Sequence, residues 1–131
     1  MKLLLIFSFL FGSLFVFKEN AFDAEEKMTY EKAVALSKET NKMIMLKLTA
    51  DNCKYCVKMD KEVLANDEVK GLLENFITVT LNVDQEEALP LGLKRTITPT
   101  FVFVNKEEEI VSKLPGSWNQ KDFVDLLNNR L

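Results

Sequence analysis

Cys53 and Cys56 are the only cysteines of the 131-residue chain, and two residues separate them. A hydrophobic run at 43–48 precedes the pair, and apolar residues at helical spacing follow it, with Met59 and Val63 in line with Cys56. Two thiols at this spacing can form, break or pass on a disulfide, and a thiol attacks a disulfide only as the thiolate. The sequence therefore predicts a redox-active dithiol at a junction between a strand and a helix.

The position of each cysteine in the predicted helix indicates its role. Cys53 would begin the helix, where unpaired N–H groups and the positive end of the helix dipole lower the pKa of a thiol. We therefore predict that Cys53 attacks the substrate and that Cys56, one turn further in and less exposed, resolves the mixed disulfide. Lys54 would add a positive charge close to the thiolate, and Tyr55 would either contribute to the substrate surface or shield the sulfurs.

Metal binding and a purely structural disulfide are the alternative interpretations of the pair. A structural zinc site needs four ligands, and the chain has no third cysteine and no histidine. Two cysteines with Met59 could bind copper(I), because thiolate and thioether ligands suit that ion. We favour redox exchange and expect no metal and no cofactor. A copper(I) carrier or a non-catalytic binding module remains the alternative.

Composition indicates one globular domain and narrows the classes of function. Apolar residues make up 47% of the chain and charged residues 28%, which are values typical of a globular protein. A net charge of −3 argues against nucleic acid as a partner, because phosphate contacts need clustered Lys and Arg. The absence of histidine excludes Ser-His and Cys-His catalysis. We expect a monomer.

The N-terminal residues form a separate segment. Lys2 precedes an uncharged, mostly apolar run at 3–17, and this pattern is typical of an export signal. As a helix, the run would span only about 22 Å, which is less than a bilayer core. We predict that residues 1–24 are a signal peptide, or an inner-membrane anchor through residues 3–17, and that residues 25–131 form the domain. Export would place the domain where disulfides are exchanged, most simply the bacterial periplasm.

Hydrophobic periodicity in the remaining chain predicts alternating helices and strands. We expect strands at 43–48, 77–83, 100–104 and 109–114. We expect helices at 30–41 with Thr29 as N-cap, at 53–65, after an N-cap at Asp67, at 85–91, and at the end of the chain, where Phe123, Leu126, Leu127 and Leu131 form an apolar stripe. This order predicts an α/β fold with a mixed central sheet and helices on both faces.

Pro99 lies between Thr98 and Thr100, directly before a predicted strand. Proline cannot donate to a strand ladder, so its position needs an explanation. Only about 5–6% of X–Pro bonds in folded proteins are cis, and an isolated Thr-Pro would be expected in trans. The dithiol upstream reverses that expectation. We predict a cis bond that exposes the Thr98 backbone for pairing with an extended substrate beside Cys53.

These motifs together resemble the thioredoxin superfamily over about residues 28–131. The resemblance rests on the dithiol after an apolar strand, Thr-Pro-Thr before residues 101–104, and Gly116 after the next strand. The chain is similar to small exported thioredoxin-like proteins and to the C-terminal domain of bacterial thiol-disulfide interchange proteins. The resemblance implies a thioredoxin fold and disulfide exchange with protein substrates. It assigns Cys53 as nucleophile, Cys56 as resolving thiol and Pro99 as the cis-proline opposite them.

Several positions depart from the thioredoxin pattern. Asn52 stands where thioredoxins have Trp, and Lys54 and Tyr55 replace Gly-Pro. Lys47 occupies a position where the family commonly has a buried acid, and Asp60 a position where the interchange domain also has an acid. We predict that Lys47 and Asp60 form an ion pair beneath the dithiol, with Asp60 serving proton transfer and Lys47 favouring the thiolate. The alternative is that both side chains are solvated.

The direction of electron flow is open at this stage. The resemblance to the interchange domain favours reduction of exported, cysteine-containing proteins, with electrons drawn from a membrane partner. Lys47 and Lys54 argue the other way, because stabilising the reduced thiolate makes a dithiol more oxidising.

Overall fold

A computed structural model describes residues 26–131, and the predicted N-terminal segment 1–24 lies outside them. The helices are α1 (Tyr30–Thr40), α2 (Lys54–Met59), α3 (Asp67–Leu73) and α4 (Gln120–Asn128). The strands are β1 (Met43–Thr49), β2 (Phe76–Asn82), β3 (Thr100–Val104) and β4 (Ile110–Pro115). A π-helical turn (Asp60–Leu64) continues α2, and a 3-10 turn spans Pro90–Gly92. None of the helices between residues 26 and 131 has both the length and the apolar content needed to cross a membrane.

The four strands form one mixed sheet in the order β2-β1-β3-β4. β1 runs parallel to β2 and antiparallel to β3, and β3 runs antiparallel to β4. In the β1–β3 pair, Leu48 lies opposite Thr100. Because the two strands run in opposite directions, the end of β1 and the start of β3 meet at one edge of the sheet. The chain therefore brings the dithiol turn and the Thr98–Pro99 loop to the same edge.

Hydrophobic clusters cover both faces of the sheet, which confirms the predicted mixed sheet with helices on both sides. Alternate residues of a strand point to opposite faces. Ile44, Leu46 and Leu48 belong to the cluster that contains Ala33 of α1. Met45 belongs to the other cluster, with side chains from α3, α4 and the π-helical turn. The alternation thus places Lys47 on the Met45 face, toward the helix that follows the dithiol.

Side-chain caps explain where most helices begin. Thr29 Oγ1 accepts a hydrogen bond from the Lys32 N–H at 3.3 Å, as predicted for α1. The predicted cap at Asp67 is wrong by one residue. Asn66 Oδ1 accepts from the N–H groups of Glu68 at 3.0 Å and Val69 at 3.3 Å, and Asp67 is the first residue of α3. Both residues can cap a helix, so composition alone did not separate them.

The predicted helix at 85–91 is wrong. The described chain has turns and bends there, and only Pro90–Gly92 forms a 3-10 turn. Pro90 has no N–H to donate to a preceding helical turn. Leu91 and Gly92 have φ of 58° and 66°, which lies outside the right-handed helical region. This irregular segment leads into the loop that carries Pro99.

Candidate active site

A left-handed turn connects β1 to the dithiol. Asn52 has a φ of 54°, and asparagine is one of the few non-glycine residues that adopt this conformation readily. At the end of β1, the Thr49 carbonyl accepts a hydrogen bond from the Val83 N–H at 2.8 Å, which ties the turn to the end of β2. Asn52, which replaces the thioredoxin Trp, therefore has a conformational role in directing the chain into α2.

Cys53 lies at the N-cap position of α2. Its Sγ accepts a hydrogen bond from the Cys56 N–H at 3.2 Å, and it is bonded to Cys56 in a disulfide. Cys56 is 3% exposed, whereas Cys53 is partly exposed. The predicted placement of the two sulfurs is confirmed, with Cys53 outermost at the helix start and Cys56 buried behind it. This arrangement suits an attacking thiol in front and a resolving thiol behind.

The loop before β3 brings Thr98 against the dithiol. The Thr98–Pro99 bond is cis, as predicted, and the Gly116 N–H donates to the Pro99 carbonyl at 2.8 Å. The Thr98 hydroxyl donates to Cys53 Sγ at 3.3 Å, and the Thr98 carbonyl oxygen lies 3.6 Å from the same sulfur. Sequence reasoning considered only the Thr98 backbone and missed the hydroxyl. Its signal was the residue type itself, because threonine can donate a hydrogen bond to a neighbouring thiolate.

Lys47 and Asp60 form the predicted ion pair. Lys47 Nζ lies 2.5 Å from Asp60 Oδ1, with the Lys47 side chain 13% exposed and the Asp60 side chain 48% exposed. The alternative of two fully solvated side chains is therefore wrong. The Asp60 N–H also donates to the Cys56 carbonyl, so this residue is joined to the dithiol helix. The influence of the pair on the Cys53 thiolate stays a prediction.

The π-helical turn begins at this ion-paired residue. The Ala65 N–H donates to the Asp60 carbonyl at 3.0 Å, which is the five-residue spacing of a π-helix. Sequence periodicity predicted a single helix over 53–65, and the structure divides it after Met59. Such turns are often found at functional sites, and here the turn starts at the residue that binds Lys47.

Two exposed, largely apolar side chains are neighbours of site residues in the sequence. Tyr55, between the cysteines, is 53% exposed, and Ile97, before Thr98, is 60% exposed. Lys54 Nζ lies 5.3 Å from the centre of the Tyr55 ring, within the range of a cation–π contact. The predicted roles of Tyr55 in substrate binding and of Lys54 in tuning the thiolate are compatible with these positions and remain predictions.

Met59, considered above as a third copper(I) ligand, lies in the core. It is 1% exposed, and its Sδ accepts a hydrogen bond from the Trp118 N–H at 3.4 Å. Its sulfur is therefore already engaged within the protein. Among residues 26–131, there is no group of three or more Cys, Asp or Glu side chains arranged to hold a metal ion.

A second polar network, centred on Asp84, includes the backbone of Asp51, two residues before Cys53. Asp84 Oδ2 accepts a hydrogen bond from the Asp51 N–H at 2.8 Å, and Asp84 Oδ1 forms an ion pair with Arg95. The Asp51 N–H, and next the Arg95 guanidinium, hold the pKa of the Asp84 carboxyl below its usual value. Asp84 is therefore a carboxylate at neutral pH. Sequence reasoning missed this network.

Comparison with known proteins identifies the family. Residues 23–106 match the thioredoxin-like family. The chain belongs to the thioredoxin-like family. Thioredoxin H4 of Arabidopsis thaliana is 34% identical over 86 residues, which are 66% of this chain and 69% of that protein. The family and the Cys53–Cys56 pair together make this protein a thiol-disulfide oxidoreductase.

Solved structures agree with the thioredoxin fold. A thioredoxin from Thermus thermophilus has 34% identity and a TM-score of 0.68, and the match covers 77% of this chain and 82% of that chain. The C-terminal domain of DsbD from Neisseria meningitidis, in its reduced form, has a TM-score of 0.60 over 76% of this chain and 90% of that domain. Its identity is 21%, so this likeness shows the fold alone.

The exchange reaction follows from the two sulfurs in their predicted roles. In the reduced protein, the Cys53 thiolate attacks a substrate disulfide, forms a mixed disulfide and releases one substrate thiolate. Cys56 then loses its proton and attacks Cys53 Sγ, which forms the Cys53–Cys56 disulfide and releases the second substrate sulfur as a thiol. Two electrons pass from the protein to the substrate, and the reverse sequence oxidises a substrate dithiol.

The Thr98 hydroxyl provides a first test of the site. Thr98→Val should raise the pKa of Cys53 in the reduced protein by about 0.5–1 unit, because the thiolate loses a hydrogen bond while the side chain keeps its shape. The pH dependence of iodoacetamide alkylation measures this pKa. Thr98→Ser, which keeps the hydroxyl, should stay near the native value. An unchanged pKa in Thr98→Val would contradict a hydrogen bond to the thiolate.

The Lys47–Asp60 pair provides a second test. Lys47→Met should raise the pKa of Cys53 by more than about 0.3 unit, because it removes a cation and leaves the Asp60 carboxylate uncompensated. Lys58→Met is the matched control, since it removes the same charge from the exposed face of α2, where Lys58 lies 3.9 Å from Glu62. A smaller shift in Lys47→Met, or an equal shift in both variants, would show that the pair is not coupled to the thiolate.

Proposed function

We propose that this protein is an exported reductant of protein disulfides. In this proposal, residues 1–24 direct the chain out of the bacterial cytoplasm, and residues 25–131 reduce disulfides of other exported proteins in the periplasm. A membrane partner would return two electrons to the Cys53–Cys56 disulfide after each cycle. The placement of Cys53 at the start of α2, in contact with Thr98 and ahead of buried Cys56, supports exchange with a large substrate at an open edge of the fold.

The Lys47–Asp60 ion pair is the observation that carries the reducing direction. An uncompensated cation near Cys53 would stabilise the thiolate and make the disulfide a stronger oxidant. The carboxylate of Asp60 lies 2.5 Å from Lys47 Nζ, so it offsets much of the field of that cation. The electrostatic argument for an oxidant is therefore weaker than the sequence suggested.

The N-terminal segment supports the proposed location. Lys2 and the uncharged run at 3–17 have the charge and length of an export signal, and the match to the thioredoxin-like family starts at residue 23. A leader followed directly by a redox domain suits a compartment where cysteines are oxidised and need a reductant. Exported proteins that contain cysteines are the corresponding substrates.

A redox titration tests the direction. We expect the Cys53–Cys56 couple, equilibrated with glutathione, to titrate near the thioredoxin value of about −270 mV, and a value near about −120 mV would instead make the protein an oxidant. Insulin reduction in the presence of dithiothreitol measures turnover. Cys53→Ala should abolish it, and reduced Cys56→Ala, mixed with insulin after the dithiothreitol has been removed, should accumulate a mixed disulfide with insulin. Turnover by Cys53→Ala equal to that of the native protein would contradict Cys53 as the nucleophile.

Expression of the full chain in a bacterium tests the location. We expect the protein in the periplasmic fraction, or in the inner-membrane fraction with a protease-accessible domain, because the apolar run at 3–17 would engage the export machinery. Mass spectrometry of the N-terminus distinguishes cleavage from an anchor. Deletion of residues 2–18 is the control and should leave the protein in the cytoplasm. Cytoplasmic full-length protein with an intact N-terminus would contradict export.

A further inference from the structure

Asp84 joins the two segments that form the active site. It follows β2 by two residues and accepts a hydrogen bond from the Asp51 N–H at 2.8 Å. The same carboxylate forms an ion pair with Arg95. Asp51 lies two residues before Cys53, and Arg95 lies three residues before Thr98. One side chain therefore contacts both the segment that leads into the dithiol and the segment that leads into the Pro99 loop.

The surrounding hydrogen bonds hold this arrangement in a defined geometry. Asn82 Nδ2 and Gln85 Nε2 donate to Asp51 Oδ1 at 2.9 and 3.3 Å. The Asp84 N–H donates to Asn82 Oδ1 at 3.0 Å. Asp84 and Asp51 are thus each held at more than one point on a framework provided by the end of β2. The Asp84 side chain is 22% exposed, so the carboxylate end of the pair is largely shielded from solvent.

The segment before Thr98 has no regular secondary structure to hold it. Residues 94–97 are exposed and belong to no helix or strand. Leu93 on one side and Pro99 on the other are buried. Between these two buried residues, the Arg95–Asp84 ion pair links the exposed segment to the turn that carries the dithiol. A displacement of this segment would move Thr98 relative to Cys53.

We propose that Asp84 is a positioning residue that, with Arg95, holds the Pro99 loop against the dithiol turn so that the Thr98 hydroxyl reaches Cys53 Sγ. The pair is partly exposed and contributes little to global stability, as is usual for surface ion pairs. The pair acts instead on the position of the Pro99 loop relative to the dithiol turn. The 3.3 Å contact between Thr98 Oγ1 and Cys53 Sγ joins two residues that are 45 positions apart, and small displacements of either segment would break it.

A double-mutant cycle tests this proposal through the thiolate. The variant Asp84→Ala/Arg95→Gln removes one negative and one positive charge, so the net charge of the protein is unchanged. In the native background, Thr98→Val should slow alkylation of Cys53 about threefold to tenfold at a pH below the thiolate pKa. In the double variant, the same Thr98→Val substitution should slow alkylation less than about 1.5-fold, because the hydroxyl no longer reaches the sulfur.

The control variant is Lys121→Gln/Asp125→Ala, which removes a comparable ion pair from the surface of α4. In this control variant, Thr98→Val should slow alkylation of Cys53 by the same factor as in the native background. If Asp84→Ala/Arg95→Gln does not unfold cooperatively, Arg95→Gln alone replaces it, since the Arg95 side chain is 63% exposed. In the Arg95→Gln background, the factor by which Thr98→Val slows alkylation of Cys53 should be at least about twofold smaller than in the native background.

Two results would overturn the proposal. One is a Thr98→Val effect of the same size with and without the Asp84–Arg95 pair, which would leave Asp84 with a structural role only. The other is no Thr98→Val effect in the native background. Alkylation of the reduced protein requires neither export nor a particular direction of electron flow. The inference rests on disulfide exchange at Cys53, and it would stand if the redox titration showed an oxidant.

Discussion

The antiparallel pairing of β1 with β3 is the constraint on which the site depends. It places Leu48 opposite Thr100, and therefore brings the segment after β1 and the segment before β3 to one edge of the sheet. Cys53 and Thr98 meet there although 45 positions separate them. All of β3 and four of the seven residues of β1 are buried, and a shift of register by one residue would exchange the side chains that face the two clusters, bringing Lys47 into the cluster of Ile44, Leu46 and Leu48. Core packing thus fixes which two segments meet at the redox site.

Much of this framework was predictable from the sequence, because the residues that a helix or strand buries recur at a fixed spacing along the chain. Along β2, polar residues alternate with Ile77, Val79 and Leu81. Helical spacing relates Cys56, Met59 and Val63. All six of these side chains are buried. The cis bond before Pro99 was predictable only in combination with the dithiol. Two local features could not be predicted from the sequence: the cap of α3 at Asn66, and the turns that replace a helix at 85–91. Several local conformations suit the same residues there.

The contacts that tune the site were harder to predict, because they join residues far apart in the chain. The Lys47–Asp60 pair was predicted because the family resemblance places Lys47 at a buried position, where a lysine needs a partner, and Asp60 at a position where the interchange domain also has an acid. The contact of the Thr98 hydroxyl had only the residue type as a signal, and the Asp84–Arg95 pair had none. Threonine, aspartate and arginine are ordinary residues in exposed loops, and only the tertiary structure shows which of them come together.

The same contacts explain how this site can differ from other thioredoxin-like sites without a change of fold. Asp60 offsets much of the charge of Lys47, so we expect neutral dipoles, beside the charge of Lys54, to contribute to the energy of the Cys53 thiolate. In the disulfide form, the Cys56 N–H and the Thr98 hydroxyl donate to Cys53 Sγ, and the Thr98 carbonyl oxygen lies 3.6 Å from the same sulfur. If these contacts are kept on reduction, the two donors would stabilise the thiolate and the carbonyl oxygen would oppose them. Two of these three groups belong to Thr98, so the placement of one loop sets much of the balance. A protein that holds this loop differently could change its redox potential and keep the same cysteines.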